Sequence, residues 1–203
     1  GMEEGPFLFP KLSEPTSWNS PVAAGARLDF EVELCAVPLT DYAALPESIT
    51  LPRLAYLLCG DYTDRWQLVR EIDLDGPIGV SGFPDAKGGP TRFPVGSLLV
   101  IPRQDDFYKK IELSLYMNDA LRQKSSASAM IWSPQAILAN ALAQCETDYL
   151  SMSGKVRMND CERIPSGTLI LTGTPGGVLF HVATIWNPWV YLRPGDVVTS
   201  FAT

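Results

Sequence analysis

Proline and glycine constrain this chain most: seventeen prolines and sixteen glycines interrupt its 203 residues, so that few apolar runs exceed six or seven residues. Proline ends helices and glycine weakens them, whereas short strands joined by tight turns accommodate both. The predicted fold class is therefore mainly β with few helices. Strands are expected at Asp29–Val37, Ser97–Ile101, Ile111–Met117, Thr168–Leu171, Trp189–Leu192 and Val197–Phe201, each bounded by Pro, Gly, Asn or Asp or rich in β-branched and aromatic residues. One helix is well signalled after Ser133-Pro134, an N-cap followed by a proline at the first helical position, with Ile137, Leu138, Ala141 and Leu142 as its buried stripe. A second is expected around Thr63–Glu71, and Leu51–Leu58 reads equally well as strand or helix. No repeat or linker divides the chain, so residues 1–203 read as one domain, with Gly1 as the remnant of a cleaved tag.

Apolar residues at 46% and charged residues at 19% are the balance of a folded globule. A net charge of −7 with no Lys/Arg cluster disfavours nucleic acid as a partner. No apolar run is long enough to span a bilayer and no secretory leader is visible, so the expectation is a cytoplasmic protein without a membrane partner. Cys35, Cys59, Cys145 and Cys161 have neither zinc-ligand nor small-scaffold spacing, and reduced, buried thiols are expected.

Chemistry concentrates in four segments. In Leu28-Asp29-Phe30-Glu31-Val32-Glu33-Leu34 the alternation places three carboxylates on one strand face and three apolar side chains on the other. That acidic face is either the solvated side of a sheet or a cation site. Glu31 and Glu33, about 7 Å apart at Cα, can converge on one ion. Asp61, in what reads as a Gly60-Asp61 turn, is either a third ligand or a helix N-cap. All-oxygen ligands favour Mg²⁺ or Mn²⁺, with Ca²⁺ also admissible, over zinc. Lys87, among small residues in Asp85-Ala86-Lys87-Gly88-Gly89, is either a solvated loop lysine or a cation for a developing oxyanion. Arg65 either pairs with a carboxylate or grips a substrate carboxylate. The run Leu169–Val178 ends in Gly173-Thr174-Pro175-Gly176-Gly177, a hydroxyl- and amide-lined turn suited to a small anion, without the Lys-Ser/Thr of a phosphate loop. His181 is the only histidine, which leaves a Ser-His-Asp triad little support.

Taken in order, nine segments resemble the fumarylacetoacetate hydrolase family. They are Phe7–Lys11, Leu28–Leu34, Gly60–Arg65, Lys87, Phe93–Gly96, Leu121–Gln123, Met130–Pro134, Leu169–Val178 and Leu192–Val198. The resemblance covers nearly the whole chain. It implies a rolled, mixed β-sheet fold around a metal pocket, a homodimer, and cleavage, isomerisation or decarboxylation of a small 2-oxo or 1,3-dicarbonyl carboxylate through a metal-stabilised enolate. Carried over, Glu31, Glu33 and Asp61 fall on the metal ligands, Lys87 on the active-site lysine, and Arg65 and Thr174 on substrate-binding positions. The chain departs from the family in two ways. The His and Glu of the N-terminal lid segment have no counterpart, with His181 on the wrong segment to replace them. The tripeptide after the metal aspartate reads Asp64-Arg65-Trp66 where Ala-Arg-Asp is usual. These departures shift the expectation toward isomerisation or decarboxylation. They also leave open a descendant that binds metal or a carboxylate metabolite without turnover.

Overall fold

A computed structural model describes residues 5–43, 52–174, 176 and 186–203. Among these, strands β1 (Thr16–Ser17), β2 (Leu28–Pro38), β3 (Tyr42–Ala43) and β4 (Leu54–Asp64) are followed by helices α1 (Arg65–Glu71) and α2 (Phe83–Ala86) and strand β5 (Pro94–Val95). The hairpin of β6 (Glu112–Met117) and β7 (Ala120–Ser126) precedes α3 (Pro134–Ala143), and β8 (Tyr149–Ser151), β9 (Gly154–Val156), β10 (Arg163–Ile164), β11 (Ile170–Leu171) and β12 (Val198–Ala202) complete the order. The largest sheet runs β1-β5-β4-β2-β11, a three-stranded sheet runs β12-β6-β7, and β10-β3 and β8-β9 form short pairs. The mainly β expectation holds.

The pairing of β2 with β4 positions everything that follows. The two strands are antiparallel over eleven residues each, from Leu28 opposite Asp64 to Pro38 opposite Leu54. Side chains alternate across a strand, so Phe30, Val32 and Leu34 share one face with Tyr56 and Tyr62. That face packs on Leu113 and Leu115 of β6 and Leu138 and Leu142 of α3 to form the main core. The opposite face carries Asp29, Glu31, Glu33, Cys35 and Val37 beside Thr63, Asp61, Cys59, Leu57 and Ala55. It is buried as well: every residue of β2 is out of solvent. A solvated acidic face is thereby ruled out. One end of this second face is apolar, with Val37, Ala55, Leu57 and Phe93 packed around Cys35 and Cys59, and the other end is acidic.

Four expectations are corrected. Asp61 is not in a turn: β4 continues through Gly60 to Asp64, and Asp64 is the N-cap of α1, its carboxylate accepting from the backbone N–H of Trp66 and Gln67 at 3.1 and 3.2 Å. Ser97–Ile101 forms no strand beyond a single bridge between Val100 and Tyr56. In place of a strand at Trp189–Leu192, a 3-10 turn covers Pro188–Val190, because Pro188 fixes φ and the Asn187 side chain caps the N–H of Trp189 at 3.0 Å. The cysteines are not free thiols: Cys35 bonds Cys59 and Cys145 bonds Cys161. Spacing along the chain hid both, because Cys35 and Cys59 meet only through the β2–β4 register. The ambiguous Leu51–Leu58 enters β4 at Leu54, with Leu51 outside the described residues. The expectation for α3 holds, with Ser133 capping the N–H of Ala136 at 3.1 Å.

The two disulfides differ in access. Cys35 and Cys59 are 0% and 2% exposed, whereas Cys161 lies on the surface. Thiol exchange needs the attacking thiolate to reach a sulfur. Titration of the folded protein with a mild phosphine, followed by alkylation and peptide mass spectrometry, should therefore label Cys145 and Cys161 well before Cys35 and Cys59. The double substitution of Cys35 and Cys59 by Ala should lower stability by about 3 kcal/mol in a denaturant melt.

Candidate metal centre

Strand register brings the predicted ligands together. Glu31 stands directly opposite Asp61, and Glu33 is two residues along the same face. One carboxylate oxygen from each of Glu31, Glu33 and Asp61 lies within 4.8 Å of the others, and all three residues are buried. Asp29, the remaining acid of the alternation, is set apart by a different partner. Arg65 donates from Nε to Asp29 Oδ2 at 2.7 Å and lies 2.5 Å from it through Nη2, and the same Nη2 is 3.5 Å from Glu31 Oε1. Arg65 occupies the first position of α1, so the Asp64 cap that starts the helix also fixes where the guanidinium leaves the backbone.

Two lysines converge on Asp61. Lys11 Nζ donates to Oδ1 at 2.6 Å, and Lys87 Nζ pairs with Oδ2 while lying 3.9 Å from Glu31 Oε2. Lys87 is the C-cap of α2 and fully enclosed, not a solvated loop residue. Its neighbour Gly88 is required by backbone approach, since a Cβ there would sit 2.8 Å from the Pro84 carbonyl oxygen. Lys11 and Gln123 lie within segments that resemble the family, but nothing in their local sequence indicates a site role. Gln123, on β7, covers the edge that β2 exposes where β11 stops. Its amide accepts from Val32 N–H at 2.9 Å, donates to the Val32 carbonyl at 3.1 Å, and donates to Thr174 Oγ1. Gly173 N–H donates to Glu33 Oε2 at 2.9 Å, so the Gly173-Thr174 turn is tied to both the ligand strand and its supporting glutamine. Pro175 and residues 177–185, with His181 among them, lie outside the described residues.

The electrostatics follow from burial. Desolvation pushes the Glu31 carboxyl up to about 7 and the Glu33 carboxyl up to about 8, against the opposing pull of Lys87. Burial would raise Asp61 too, but Lys11 and Lys87 outweigh it and hold that carboxyl down at about 2. Burial also depresses Lys11, whereas for Lys87 the attraction of Asp61, Glu31 and Glu33 overcomes desolvation and raises it. With every carboxyl ionised the cluster is short of positive charge: among the described residues four buried carboxylates, Asp29, Glu31, Glu33 and Asp61, then face three cations, Lys11, Arg65 and Lys87. Three converging carboxylate oxygens without nitrogen or sulfur donors fit a hard divalent ion such as Mg²⁺, Mn²⁺ or Ca²⁺.

Residues 11–203 match the family of the fumarylacetoacetate (FAA) hydrolase C-terminal region. The chain belongs to that family. A search of curated proteins finds no match. Solved structures share the fold of this family member. A 2-hydroxyhepta-2,4-diene-1,7-dioate isomerase from Mycobacterium marinum superposes with a TM-score of 0.59 at 22% identity, over 96% of this chain and 60% of that one. A 5-carboxymethyl-2-hydroxymuconate delta-isomerase from Mycobacterium smegmatis gives 0.56 at 20% identity, again over 96% and 60%. A fumarylpyruvate hydrolase from Pseudomonas aeruginosa, solved in complex with Mn²⁺ and pyruvate, gives 0.58 at 19% identity over 95% and 70%. The chain thus spans about 60% of the length of the two mycobacterial proteins.

Raised carboxyl groups make metal binding pH-dependent. Glu31 and Glu33 hold more protons in the folded than in the unfolded state between their ordinary value of 4.5 and about 7 to 8. In the metal-free protein the contribution of these two groups to stability should therefore be fully present below the unfolded value and be lost as pH rises through that window, opposite in sign to the contribution of Asp61. A bound divalent ion competes with those protons. Differential scanning fluorimetry should show a larger rise in Tm on adding Mn²⁺ at pH 8 than at pH 6, of roughly 8 °C at pH 8 when Mn²⁺ is about one hundred times Kd.

Proposed function

We propose that this family member is a metal-dependent enzyme acting on a small 2-oxo or 1,3-dicarbonyl carboxylate, by C–C hydrolysis, isomerisation or decarboxylation. The observation that carries the reading is the buried Glu31–Glu33–Asp61 cluster with the Lys87 ammonium held against it. Glu31, Glu33 and Asp61 would hold the divalent ion, which supplies Lewis-acid polarisation of adjacent carbonyl oxygens. Lys87 is the catalytic cation. Its ammonium stays charged because three carboxylates surround it, and it stabilises negative charge on the carbonyl oxygen as the adjacent bond breaks or a proton leaves. Arg65, held in place by Asp29, and Thr174, held by Gln123, bind the substrate carboxylate. Lys11 neutralises the far oxygen of Asp61 and so keeps that carboxylate ionised near neutral pH. Burial of the whole cluster lowers the local dielectric and strengthens each of these interactions.

Enolate stabilisation and proton delivery suffice for isomerisation or decarboxylation, whereas hydrolysis also needs a base that activates water. Asp29, Glu31, Glu33 and Asp61 are engaged with cations, with each other or with backbone, which favours the first two reactions. A homodimer is part of the same proposal, supported by the exposed Trp18, Val197 and Phe201 around a groove of about 740 Å³.

Acetylpyruvate and oxaloacetate should both be tested by ultraviolet absorbance with Mg²⁺, Mn²⁺ or EDTA. At least one is expected to decay in a metal-dependent way. Lys87→Met should lower kcat/KM by about 10²- to 10⁴-fold while leaving Mn²⁺ binding in place, and Glu31→Gln should remove both binding and decay. Metal binding without turnover of either compound would favour a protein that binds a carboxylate metabolite and leaves it unchanged.

A further inference from the structure

We propose that the part of the site beyond Lys87 receives an apolar tail, so that the substrate is a 2-oxo acid carrying an aryl or alkyl acyl group and not a second carboxylate. This rests on the reading of function above and adds the portion of the substrate that the carboxylate cluster does not touch. The cluster lines part of a cavity of about 900 Å³, far more than a pyruvate-sized head group fills. Phe7, Phe9, Phe83, Met130, Trp132 and Met158 supply the large apolar side chains of the lining, beside the uncharged polar Ser13, Asn159 and Thr168. The three phenylalanines form a closed triangle, with ring centroids 5.3 Å (Phe7–Phe9), 5.2 Å (Phe7–Phe83) and 5.0 Å (Phe9–Phe83) apart.

The aromatic wall begins at the reacting residue itself. Lys87 Nζ lies 5.8 Å from the Phe9 ring centroid, so a substrate polarised by Lys87 projects its next atoms across that ring. Phe7 is 47% exposed, leaving aromatic surface that gains from being covered. Among the described residues, the cations lining the cavity are Lys11, Arg65, Lys87 and Arg157. The first three are held in the carboxylate cluster. Arg157 is paired with Asp148 at 2.9 Å with its side chain 53% exposed. Glu14, also on the lining, would repel an anion. A tail carboxylate would lose its hydration against phenylalanine rings, with Lys11, Arg65 and Lys87 committed to the cluster and the substrate's head group and Arg157 to Asp148, whereas an apolar tail gains from the same burial.

The test uses two compounds that share the 2-oxo acid head but lack the second carbonyl that cleavage needs: 2-oxo-4-phenylbutanoate and 2-oxohexanedioate. Calorimetric titration into Mn²⁺-saturated protein should give a Kd about tenfold lower for the phenyl compound. Phe9→Ala should remove most of that preference, Phe9→Leu should retain more of it, and Phe83→Arg should move the preference toward the dicarboxylate. Equal or tighter binding of the dicarboxylate by the unmodified protein would overturn the apolar tail and leave the proposed function standing. Failure of both compounds to bind while Mn²⁺ binds would overturn the proposed function, and this inference with it.

Discussion

Everything at this site depends on the register between β2 and β4. Eleven paired positions place Glu31 against Asp61 and Glu33 against Cys59, and because strand side chains alternate with a period of two, a one-residue slip of β2 would turn its three carboxylates into the hydrophobic core. Such a slip would bury Asp29, Glu31 and Glu33 against Leu113, Leu115 and Leu138 without a cation and turn Phe30 and Val32 away from them. The core side therefore enforces the register, and the acidic side inherits it. Burial of the carboxylates is unfavourable in itself, and Lys11, Lys87 and Arg65 offset part of that cost. The unbalanced remainder is what a divalent ion would complete.

The same sheet face is divided along its length. Toward Val37 it is apolar and crossed by the Cys35–Cys59 disulfide; toward Asp29 it is charged. The disulfide joins the two strands directly beside Glu33 and Asp61, so it restrains the relative shift of the strands that carry the ligands. Gln123 performs a related task at the strand edge. It satisfies both backbone groups of Val32 where β11 has ended and reaches on to Thr174, linking the β6–β7 hairpin to the Gly173-Thr174 turn.

How much of this was legible in the sequence differs by element. The acid-apolar alternation at 28–34 announced a strand with Glu31 and Glu33 on one face, and Ser133-Pro134 announced α3, because each signal is carried by adjacent residues. Asp61 is legible as a candidate ligand, from its own segment as well as through the family resemblance, but its local setting differs: Gly60-Asp61 looks like a turn, yet pairing with β2 overrides the turn tendency of glycine and carries the strand on to Asp64. Lys11 was not legible as a site residue, since it meets Asp61 from fifty positions away. The disulfides were hidden for the same reason: Cys35 and Cys59 are neighbours only across strands, and Cys145 and Cys161 only across the β8–β9 hairpin that lies between them. Pro188 gave a local warning against a strand at Trp189–Leu192 that the aromatic and β-branched content of the segment outweighed.

Anomalous diffraction from crystals of this protein grown with Mn²⁺ decides whether Glu31, Glu33 and Asp61 hold one divalent ion. A single strong peak per chain is expected, bonded to carboxylate oxygens of all three residues, with at least one lysine withdrawn from Asp61 to make room. Crystals whose only Mn²⁺ peaks lie elsewhere, with Lys11 and Lys87 still paired to Asp61, would contradict it.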